Sequence, residues 1–595
     1  MRKKLWLPFL LLLLLFVIYF ICFRKEVSRT WEQVNGPYGG YIHCMAVEDE
    51  KLFAGTQGNG IFFSTDQGAN WKEVNEGLTS NNIYSLAISG TKIFAGTDGG
   101  IFVSSTDDIR WEPTDSRWND IMVFSIAIDH ENLYAGTSRG IFYSEDNGIN
   151  WKEVNQGLTS STVNSIIISG TDLFAGTEDG GIFRSDDHGA NWIQVNNGLT
   201  KLQVNSLAVS GSAIYAGTLL GGVFMSDNNG ESWQSMGMGE TSTNINSLFT
   251  KGANIFAGTE EGIFVFDGTG WKAVNNGLSN HFVYTLIADE SYVYAGTNGG
   301  GVFLSADNGE NWDQINEGLL NTHISSFASR NAEIYAGTSG SGVFLSQDGG
   351  MNWKEASSGL TNPFVFSLAM NDTGIFAGTN GGGIFLSTDK GSSWNEINSG
   401  LTNKFVYSIT VSGDDIFAGT FGGGIFRSSD NGQNWNSVNQ DLTNYYISSL
   451  TASGTDIYAG TFGSGVFRSL DRGENWEEVN SGMINAQIFS LTGSSSFLLA
   501  ATPGDGVFLS TNKGDSWKPV NTGLTSGNIN TLVVKNSTVL AGTYGGGMYQ
   551  SLNKGNSWSE FNSGLESNDV YSVLMSDKDI LAGTSGRGVW KRAGK

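Results

Sequence analysis

Ile83-Tyr-Ser-Leu-Ala-Ile-Ser89, the turn Gly90-Thr91 and Ile93-Phe-Ala-Gly-Thr97 form the stretch of sequence that decides the fold. Its last tripeptide, Ala-Gly-Thr, stands fourteen times in the chain, once as Ala-Ala-Thr, from Ala54 to Ala582 at steps of 38 to 41 residues. A fixed period of this length predicts a repeat architecture, in which each unit buries its core only against its neighbours.

Each repeat contains four short runs that are rich in β-branched and aromatic residues. After the two runs quoted above, a Gly-rich turn such as Asn380-Gly-Gly-Gly383 leads to a third run, Gly383 to Ser387, and a fourth begins at Trp394. Four antiparallel strands in every ~40 residues are typical of a propeller blade. We therefore predict an all-β fold of fourteen four-stranded blades, arranged as two tandem seven-bladed β-propellers.

The turn between the third and fourth strands has a motif of its own, Ser-x-Asp-x-Gly-x-x-Trp. A carboxylate inside such a hairpin accepts backbone N–H groups, and the Gly supplies a positive φ. Because catalytic residues do not recur in register in blade after blade, we interpret these Asp residues as structural. The motif is intact at Ser64–Trp71, Ser144–Trp151, Ser185–Trp192, Ser305–Trp312, Ser346–Trp353, Ser387–Trp394, Ser428–Trp435 and Ser469–Trp476, and it carries Asn at Asn228, Asn512 and Asn553.

This motif resembles the Asp-box, or bacterial neuraminidase repeat, and the resemblance runs from about residue 31 to the end of the chain. Asp-box propellers include the tandem seven-bladed xyloglucanases, and also photosystem assembly factors and sortilin-type receptors, which bind partners without catalysis. The resemblance therefore implies a binding module. A glycoside hydrolase of the tandem-propeller, xyloglucanase-like type is the alternative.

The two ends of the repeat region are complementary. The first repeat begins at its fourth strand, Trp31 to Asn35, and the last ends after its third strand, which contains Val589 and Trp590. Pairing these strands would complete a blade and remove two open sheet edges. We predict this pairing, with residues 31–316 as the first propeller and 317–595 as the second. The alternative is that the C-terminal strands return to a blade of the first ring.

Residues 1–30 differ from the repeats. An apolar run of 19 residues, Leu5 to Phe23, lies between basic residues on both sides. Its length is close to the ~20 residues that cross a bilayer as a helix, and no small-residue cleavage site follows it. We predict a signal anchor over residues 1–30, a transmembrane helix at residues 5–23, and propellers in the periplasm or at the cell surface. A cleaved signal, which gives a secreted protein, is the alternative.

The propeller region is strongly acidic. Outside residues 1–30 the chain has 27 basic and 57 acidic residues, a net charge of −30. Such a surface repels phosphate backbones, so we expect no nucleic-acid partner, but a polysaccharide or an envelope protein. Cys22 and Cys44 are the only cysteines, and the five His residues are scattered along the chain. The sequence predicts no disulfide, no metal site and no cofactor.

The residue after each Ala-Gly-Thr is the most variable position of the repeat. It lies on the rim where the turn between the second and third strands meets the linker into the first strand, and a rigid frame with one variable rim position is typical of a binding scaffold. In the second half of the chain this rim is aromatic, which predicts a platform for sugar rings or for a protein. The alternative is that half of these rings fold inward onto the central strands. The candidate ligand-binding residues are Phe421, Phe462, Tyr544, Phe405, Tyr446 and Phe364.

A search for catalytic residues yields two candidates. The arginine triad of Asp-box sialidases has no counterpart, because Arg184, Arg427 and Arg468 share one repeat position and point the same way on different blades. Glycosides are cleaved by paired carboxylates, and Asp115 and Asp120 are non-repeated carboxylates in a segment that replaces the usual linker. The short turns build no walled cleft, so we expect a binding module without hydrolysis.

Overall fold

The computed structural model describes residues 30–36, 38–118, 120–238, 244–484, 486–494, 496–576 and 578–594. The predicted signal anchor and transmembrane helix lie, apart from Thr30, outside the described residues. Within the described ranges no helix has the length and apolar character to cross a membrane. The helical segment found there is a single 3-10 turn, Ser116–Trp118.

The described residues form fourteen antiparallel blades in two rings of seven, so the predicted all-β propeller fold is confirmed. Within a blade the sheet order runs from the first strand to the fourth. The first strands of neighbouring blades contact each other around each ring, so they are innermost and the fourth strands outermost.

Blades 1 to 7 form the first ring. Their strands, blade by blade, are Gly39–Glu48, Lys51–Thr56, Ile61–Ser64 and Lys72–Glu73; Ile83–Ser89, Lys92–Thr97, Gly100–Ser105 and Glu112–Pro113; Val123–Asp129, Asn132–Thr137, Gly140–Ser144 and Lys152–Glu153; Val163–Ser169, Asp172–Thr177, Ile182–Ser185 and Ile193–Gln194; Val204–Ser210, Ala213–Thr218, Gly222–Ser226 and Gln234–Ser235; Ile245–Lys251, Asn254–Thr259, Gly262–Phe266 and Trp271–Ala273; Val283–Ala288, Val293–Gly299, Val302–Ser305 and Asp313–Gln314.

Blades 8 to 14 form the second ring, after a short strand, Leu320–Asn321. Their strands, blade by blade, are Ile324–Arg330, Glu333–Thr338, Val343–Ser346 and Lys354–Glu355; Val365–Met370, Ile375–Thr379, Gly383–Ser387 and Asn395–Glu396; Val406–Ser412, Asp415–Thr420, Gly424–Ser428 and Asn436–Ser437; Ile447–Ser453, Asp456–Thr461, Val466–Ser469 and Glu477–Glu478; Ser490–Ser494, Phe497–Thr502, Gly506–Ser510 and Lys518–Pro519; Ile529–Lys535, Thr538–Thr543, Met548–Ser551 and Ser559–Glu560; Val570–Met575, Asp579–Thr584, Val589–Ala593 and Glu32–Gln33.

The N-terminal strand completes the last blade. Glu32 lies opposite Lys591 and Gln33 opposite Trp590, so the predicted pairing of the two chain ends is confirmed. The strand therefore belongs to the second ring, and the predicted start of the first propeller at residue 31 is corrected to Gly39. The reason is physical: the open sheet edge that this strand covers is in blade 14, although the strand precedes blade 1 along the chain.

The chain crosses between the rings twice, and the two crossings lie side by side. Gly39 pairs with Leu320 as a short parallel bridge, and Gly39 N donates to Leu319 O at 2.9 Å. The first ring closes without an exchanged strand in its described part, because Tyr41 of blade 1 pairs directly with Asn298 of blade 7. The predicted boundary at residues 316 and 317 falls between blade 7 and the second crossing.

The Ala-Gly-Thr tripeptide is shaped by the contact between blades. In blade 10, Ala418 is fully buried, and a Cβ on Gly419 would lie 2.5 Å from Cγ2 of Ile447 in blade 11, so only Gly allows the first strand of the next blade to come this close. Thr420 Oγ1 donates to Gly424 O at 2.8 Å and closes the turn between the second and third strands. In the tripeptide, therefore, the Ala is part of the core, the Gly lets the first strand of the next blade come close, and the Thr closes the turn to the third strand.

In most blades the Trp at the end of the hairpin hydrogen-bonds to the preceding blade; Trp151 and Trp353 donate within their own hairpins instead. Trp435 of blade 10 is 2% exposed, and its Nε1 donates to Ile397 O of blade 9 at 2.7 Å. Its backbone N donates to Ser399 O at 2.8 Å, beside Gly400, whose φ of +81° and close approach to Trp435 O exclude other residues. The core of each ring thus lies between blades, as repeat proteins require.

Candidate functional site

The turn between the second and third strands and the linker into the first strand build one face of each ring. In blade 10, Phe421 N donates to Phe405 O at 2.9 Å, and Gly422 N donates to Tyr445 O of the next linker at 3.0 Å. Phe421 also forms a backbone bridge with Tyr446. The hairpins between the third and fourth strands join the opposite strand ends, so they lie on the other face. This face is called the linker face below.

Aromatic side chains gather on the linker face of the second ring. The ring centroids of Tyr407, Phe421 and Phe462 form a triangle with sides of 5.4, 5.7 and 6.0 Å, and Tyr446 lies 4.8 Å from Phe421. Offset and edge-to-face contacts at these distances stabilise aromatic pairs, so the rings fix one another's positions. We call this cluster the aromatic mouth; it consists of Phe366, Tyr407, Phe421, Tyr446, Phe462 and Phe489.

The six candidate ligand-binding residues lie at the surface and not in the core. Exposure of the four most open side chains ranges from 42% to 56%, and the other two are half-buried. Two of them, Phe421 and Phe462, also pack on Tyr407 of a first strand, so the alternative, that half of these rings fold inward onto the central strands, stays open. The exposed residues are Phe405, Phe421, Tyr446 and Tyr544, and the half-buried ones are Phe364 and Phe462.

The structure brings together only part of the predicted set. Phe421, Phe462 and Tyr446 belong to the aromatic mouth. Phe405 and Phe364 lie in the linkers of neighbouring blades, and their backbones bridge to Asn380 and Ser339. Phe364, Phe405 and Tyr544 have no ring contact with the mouth among the described side chains. Their part in ligand binding stays a prediction, as does that of the mouth itself.

Three residues of the mouth were missed from sequence. Phe366, Tyr407 and Phe489 are the second residues of their first strands or immediately precede the strand, and they point to the linker face beside the turn residues. The signal was present in both halves of the chain, because this repeat position is aromatic at Tyr84, Phe124 and Tyr284 in the first half and at Phe366, Tyr407, Phe489 and Tyr571 in the second. This signal could not be recognised as a surface feature, because apolar residues are expected in any buried strand.

Several turns on the same face of the first ring are acidic. Asp98, Glu178 and Glu260 occupy the repeat position of Phe421 there. Asn82 Nδ2 donates to Asp98 Oδ2 at 2.8 Å, and Asn244 Nδ2 donates to Glu260 Oε1 at 2.8 Å. These carboxylates are held by neighbouring linkers, so turns of the first ring carry charge where those of blades 10, 11 and 13 carry aromatic rings.

The first ring has aromatic contacts of its own on this face, supplied by its first strands. The ring of Tyr84 lies 5.7 Å from that of His43 and 5.6 Å from that of Phe124, and the ring of Tyr284 lies 5.1 Å from that of His43. The two seven-bladed rings therefore differ at the turn position and not in the presence of aromatic side chains on this face.

The candidate catalytic carboxylates are in unfavourable settings for acid catalysis. Asp115 forms an ion pair with Arg117, with Nη2 and Oδ2 2.5 Å apart, and this hydrogen bond lowers the pKa of the Asp115 carboxyl. A general acid in a glycosidase needs a raised pKa instead. Asp120 is an exposed turn residue with a φ of 61°. Their catalytic function stays a prediction that this geometry does not support.

The hairpin Asp residues are engaged in local hydrogen bonds. Asp471 Oδ1 accepts from Ser469 Oγ at 2.8 Å and from Asn475 N at 2.9 Å, and Oδ2 accepts from Asn475 Nδ2 at 2.7 Å. The hydrogen bonds from Asn475, and then that from Ser469, lower the pKa of Asp471 to about 2. Among the described residues no group of three or more His, Cys, Asp or Glu side chains is placed to hold a metal ion.

The repeated arginines do not converge on a site. Arg184 pairs with Asp172 at 2.7 Å, Arg427 with Asp415 at 3.2 Å, and Arg468 with Glu477 at 2.7 Å, each within its own blade. They stabilise the blade surface at its outer side, as their common repeat position predicts.

Comparison with known proteins agrees with this architecture. A family model described as the DUF6242 beta propeller domain matches residues 46–171 and 267–404. No curated protein matches the sequence. The chain is a β-propeller protein with two seven-bladed rings.

Solved structures with a similar fold include two glycoside hydrolases and a secretion component. An ancestral GH74 enzyme has a TM-score of 0.65 at 15% identity, over 96% of this chain and 99% of that one. The GH74 xyloglucanase from Xanthomonas campestris has a TM-score of 0.60 at 14% identity, over 96% and 100%. PorZ, a surface component of the type-IX secretion system of Porphyromonas gingivalis, has a TM-score of 0.55 at 15% identity, over 95% and 87%. At these identities the likeness shows the fold alone.

Proposed function

We propose that this protein is a membrane-anchored, extracytoplasmic binding module that holds a polysaccharide or an envelope protein at the linker face of its second ring. The observation that carries the proposal is the aromatic mouth, in which exposed rings such as Phe421 and Tyr446 are fixed by one another on a rigid frame. Fixed, exposed rings offer stacking area at little cost in conformational entropy.

The surroundings of the mouth support recognition rather than chemistry. Amide groups of the linkers lie beside the rings: Asn403 Nδ2 donates to Phe421 O at 3.1 Å, and Asn444 Nδ2 donates to Ser464 Oγ at 3.0 Å. Rings flanked by amides and hydroxyls are the combination that stacks on and hydrogen-bonds to sugars or to a polar peptide. The strong net negative charge disfavours anionic polymers, so the polysaccharide of the proposal is neutral.

Location outside the cytoplasm rests on the apolar run Leu5 to Phe23, and an anchored module of this kind would hold its ligand near the membrane. PorZ, a bacterial surface component, has a similar fold, which is compatible with such a location. The alternative function, a glycoside hydrolase, has in its favour the similar fold of the GH74 enzymes.

The test is a glycan array and an envelope-protein capture with the full-length protein and with the double variant Phe421→Ala/Phe462→Ala. We expect the double variant to lose binding by ~1–3 kcal/mol for each stacked ring, on the scale known for base–aromatic stacking. The matched control is Glu178→Ala, which changes the exposed residue at the same repeat position of the first ring and should bind as the unchanged protein does. Equal binding by all three proteins would exclude the mouth as the site.

The hydrolase alternative is tested on the same preparation by measuring reducing-end release from β-glucans. We expect none. Release that Asp115→Asn and Asp120→Asn abolish would establish the alternative, and release that survives both changes would locate the catalysts elsewhere.

A further inference from the structure

The two rings meet at two junctions that are related by the repeat register. At one junction, blade 14 approaches the fourth strand of blade 1; at the other, blade 7 approaches the fourth strand of blade 8. Glu73 and Glu355 are equivalent, because each follows Trp-Lys in the fourth strand of its blade. Arg587 and Gly300 are equivalent in the turn between the second and third strands of blades 14 and 7. The two junctions therefore present the same frame with different side chains.

The first junction is filled by the chain's own guanidinium. Arg587 Nη2 lies 3.8 Å from Glu73 Oε1 across the two rings, and Nη1 lies 3.2 Å from Glu566 Oε2 in its own ring. Only 18% of the Arg587 side chain is exposed. Its backbone oxygen accepts from Gln33 Nε2 at 3.0 Å, which ties the turn to the exchanged N-terminal strand. Here an arginine side chain lies between a carboxylate of the first ring and one of the second.

The second junction is open. Gly300 has no side chain there, and a Cβ on it would lie 2.6 Å from Cβ of Asn280 in the linker of blade 7. Beside this linker, toward blade 8, lies a groove of about 430 Å³ that Gly300 itself does not line. Glu355 lies on the wall contributed by the second ring, and Ser279 and His281 lie on the wall contributed by the first. Glu355 forms no ion pair with any described residue. Glu355 keeps an exposed surface, and its partial desolvation raises the pKa of its carboxyl, against the opposing hydrogen bond from Ser357, so an added positive charge would stabilise the ionised form.

We propose that this groove binds an arginine side chain of a partner protein. Glu355 would form the ion pair with that guanidinium, as Glu73 does with Arg587 at the first junction. The hydroxyls of Ser279, Ser341 and Ser357 line the groove and are acceptors for guanidinium N–H groups. Leu278 and Leu360 line it as well and offer apolar surface to the methylene stem of the side chain. The net charge of −30 outside residues 1–30 favours a cationic partner. This site is separate from the aromatic mouth and does not depend on the function proposed for it.

The test is calorimetric titration of the full-length protein at low salt with the capped tripeptide N-acetyl-Gly-Arg-Gly-amide. The same peptide with citrulline in place of arginine keeps the shape and removes the charge. We expect the arginine peptide to bind about tenfold more tightly than the citrulline peptide, and Glu355→Gln to remove this preference. Glu178→Gln, an exposed carboxylate change on the first ring, is the matched control and should keep it. Equal affinity for both peptides, or an unchanged preference in Glu355→Gln, would overturn the proposal.

A second variant tests the equivalence of the junctions. Arg587→Ala removes the native guanidinium and leaves Glu73 and Glu566 facing an open junction. We expect a second binding event for the arginine peptide, which the further change Glu73→Gln removes. If the unchanged protein binds the peptide but Arg587→Ala gains no second event, the assignment of Glu355 to the role of Glu73 is refuted. Free arginine has the same net charge as the capped peptide but no flanking peptide groups, so it should bind no more tightly than the peptide does; tighter binding would point to a small metabolite in place of a protein.

Discussion

The two rings share one frame and differ at its rim. In the first ring the residue after Ala-Gly-Thr is a carboxylate at Asp98, Glu178 and Glu260, and in the second it is aromatic at Phe421, Phe462 and Tyr544. Beneath this position the hydrogen bonds are the same: the following turn closes on the preceding Thr, as in Thr177 with Gly181 and Thr420 with Gly424, both at 2.8 Å. The difference shows that rim chemistry varies without disturbing the frame, because the rim side chain lies outside the buried core between blades.

The rings also differ in how they close. The first ring is built from blades that are continuous in the chain, and Tyr41 joins blade 1 to blade 7 directly. The second ring needs the strand Glu32–Gln33, brought from the other end of the chain, to cover the outer edge of blade 14. An exchanged outer strand is a small segment with a large effect, because without it a sheet edge is open and a tryptophan pocket is empty.

The largest effect should come from Trp31→Ala, which breaks the closure of the second ring. Trp31 is 2% exposed and packs in a cluster with Leu540, Met548 and Val570, and its Nε1 donates to Phe561 O at 2.6 Å. Removing a buried Trp costs about 3–5 kcal/mol. We expect faster hydrogen exchange in blades 13 and 14, measured by mass spectrometry, with blades 2 to 5 unchanged.

The control for this prediction is Trp192→Ala, an equally buried hairpin Trp of the first ring. It should accelerate exchange around blade 4 and leave the second ring unchanged. Loss of protection in both rings from either variant would mean that the rings unfold as one unit, which would remove the distinction in closure.

A smaller effect tests whether the two frames are equivalent. A Cβ on Gly176 would lie 2.7 Å from Cγ1 of Val204, and a Cβ on Gly419 would lie 2.5 Å from Cγ2 of Ile447. Crowding of this kind costs ~1–3 kcal/mol, so Gly176→Ala and Gly419→Ala should lower the free energy of unfolding by similar amounts in denaturant titrations. Gly270→Ala, whose Cβ would meet no atom within 4 Å, should change it little. If Gly176→Ala and Gly419→Ala changed the free energy of unfolding by clearly different amounts, the contacts between blades would differ between the two rings.

The sequence predicts the frame well because the frame repeats. Fourteen copies of Ala-Gly-Thr identify the strand order, and the complementary chain ends identify the pairing of Gln33 with Trp590. It does not predict which ring receives the exchanged strand, because both rings have the same repeat and nothing local distinguishes their edges. The second-ring location of Glu32–Gln33 depends on contacts between residues more than 550 positions apart.

The candidate site is predicted only in part, for a different reason. Phe421 and Phe462 stand at a position that is visibly variable, whereas Phe366 and Tyr407 stand in first strands, where an apolar residue is expected whether or not it reaches the surface. The groove at the second junction, with Glu355 on its wall, could not be predicted from sequence, since no local pattern marks it. It is recognised only when the repeat register is combined with the contact between the two rings.

The rim itself should matter little for stability. Phe421 is 42% exposed, and its contacts are with other rim rings rather than with the core between blades. We expect Phe421→Ala to change the free energy of unfolding by less than about 1 kcal/mol, as Glu178→Ala does at the same position of the first ring. Denaturant titration of both variants checks this. A loss of several kcal/mol from Phe421→Ala alone would mean that the mouth is a structural part of the second ring and not a free rim.

The smallest effect concerns the hairpin carboxylates, which both rings share. The pKa of Asp471 is lowered to about 2 from an ordinary value of 3.8, chiefly by the side-chain and backbone hydrogen bonds from Asn475. A lowered folded-state pKa gives stability that is present above about pH 4 and is lost as the pH falls toward 2. The three hairpins with Asn have Ser four residues later; Asn512 Nδ2, for example, donates to Ser516 Oγ at 2.9 Å. Asp389 already has Ser393 at that place, and Ser393 Oγ donates to its Oδ2 at 2.6 Å.

Replacing these Asp residues by Asn should therefore have different effects in the two hairpins. In Asp389→Asn the Ser393 hydroxyl can accept from the new amide group, because a hydroxyl accepts as readily as it donates. In Asp471→Asn the new amide N–H group would face the amide N–H group of Asn475, which now donates to the carboxylate. At pH 7 the melting temperature of Asp389→Asn should therefore stay near that of the unchanged protein, and that of Asp471→Asn should fall. At pH 2.5 the deficit of Asp471→Asn should shrink, because the unchanged carboxylate is then partly protonated. A deficit that is equal at both pH values would show that the charge of the carboxylate contributes nothing, and that the hairpin is held by hydrogen-bond geometry alone.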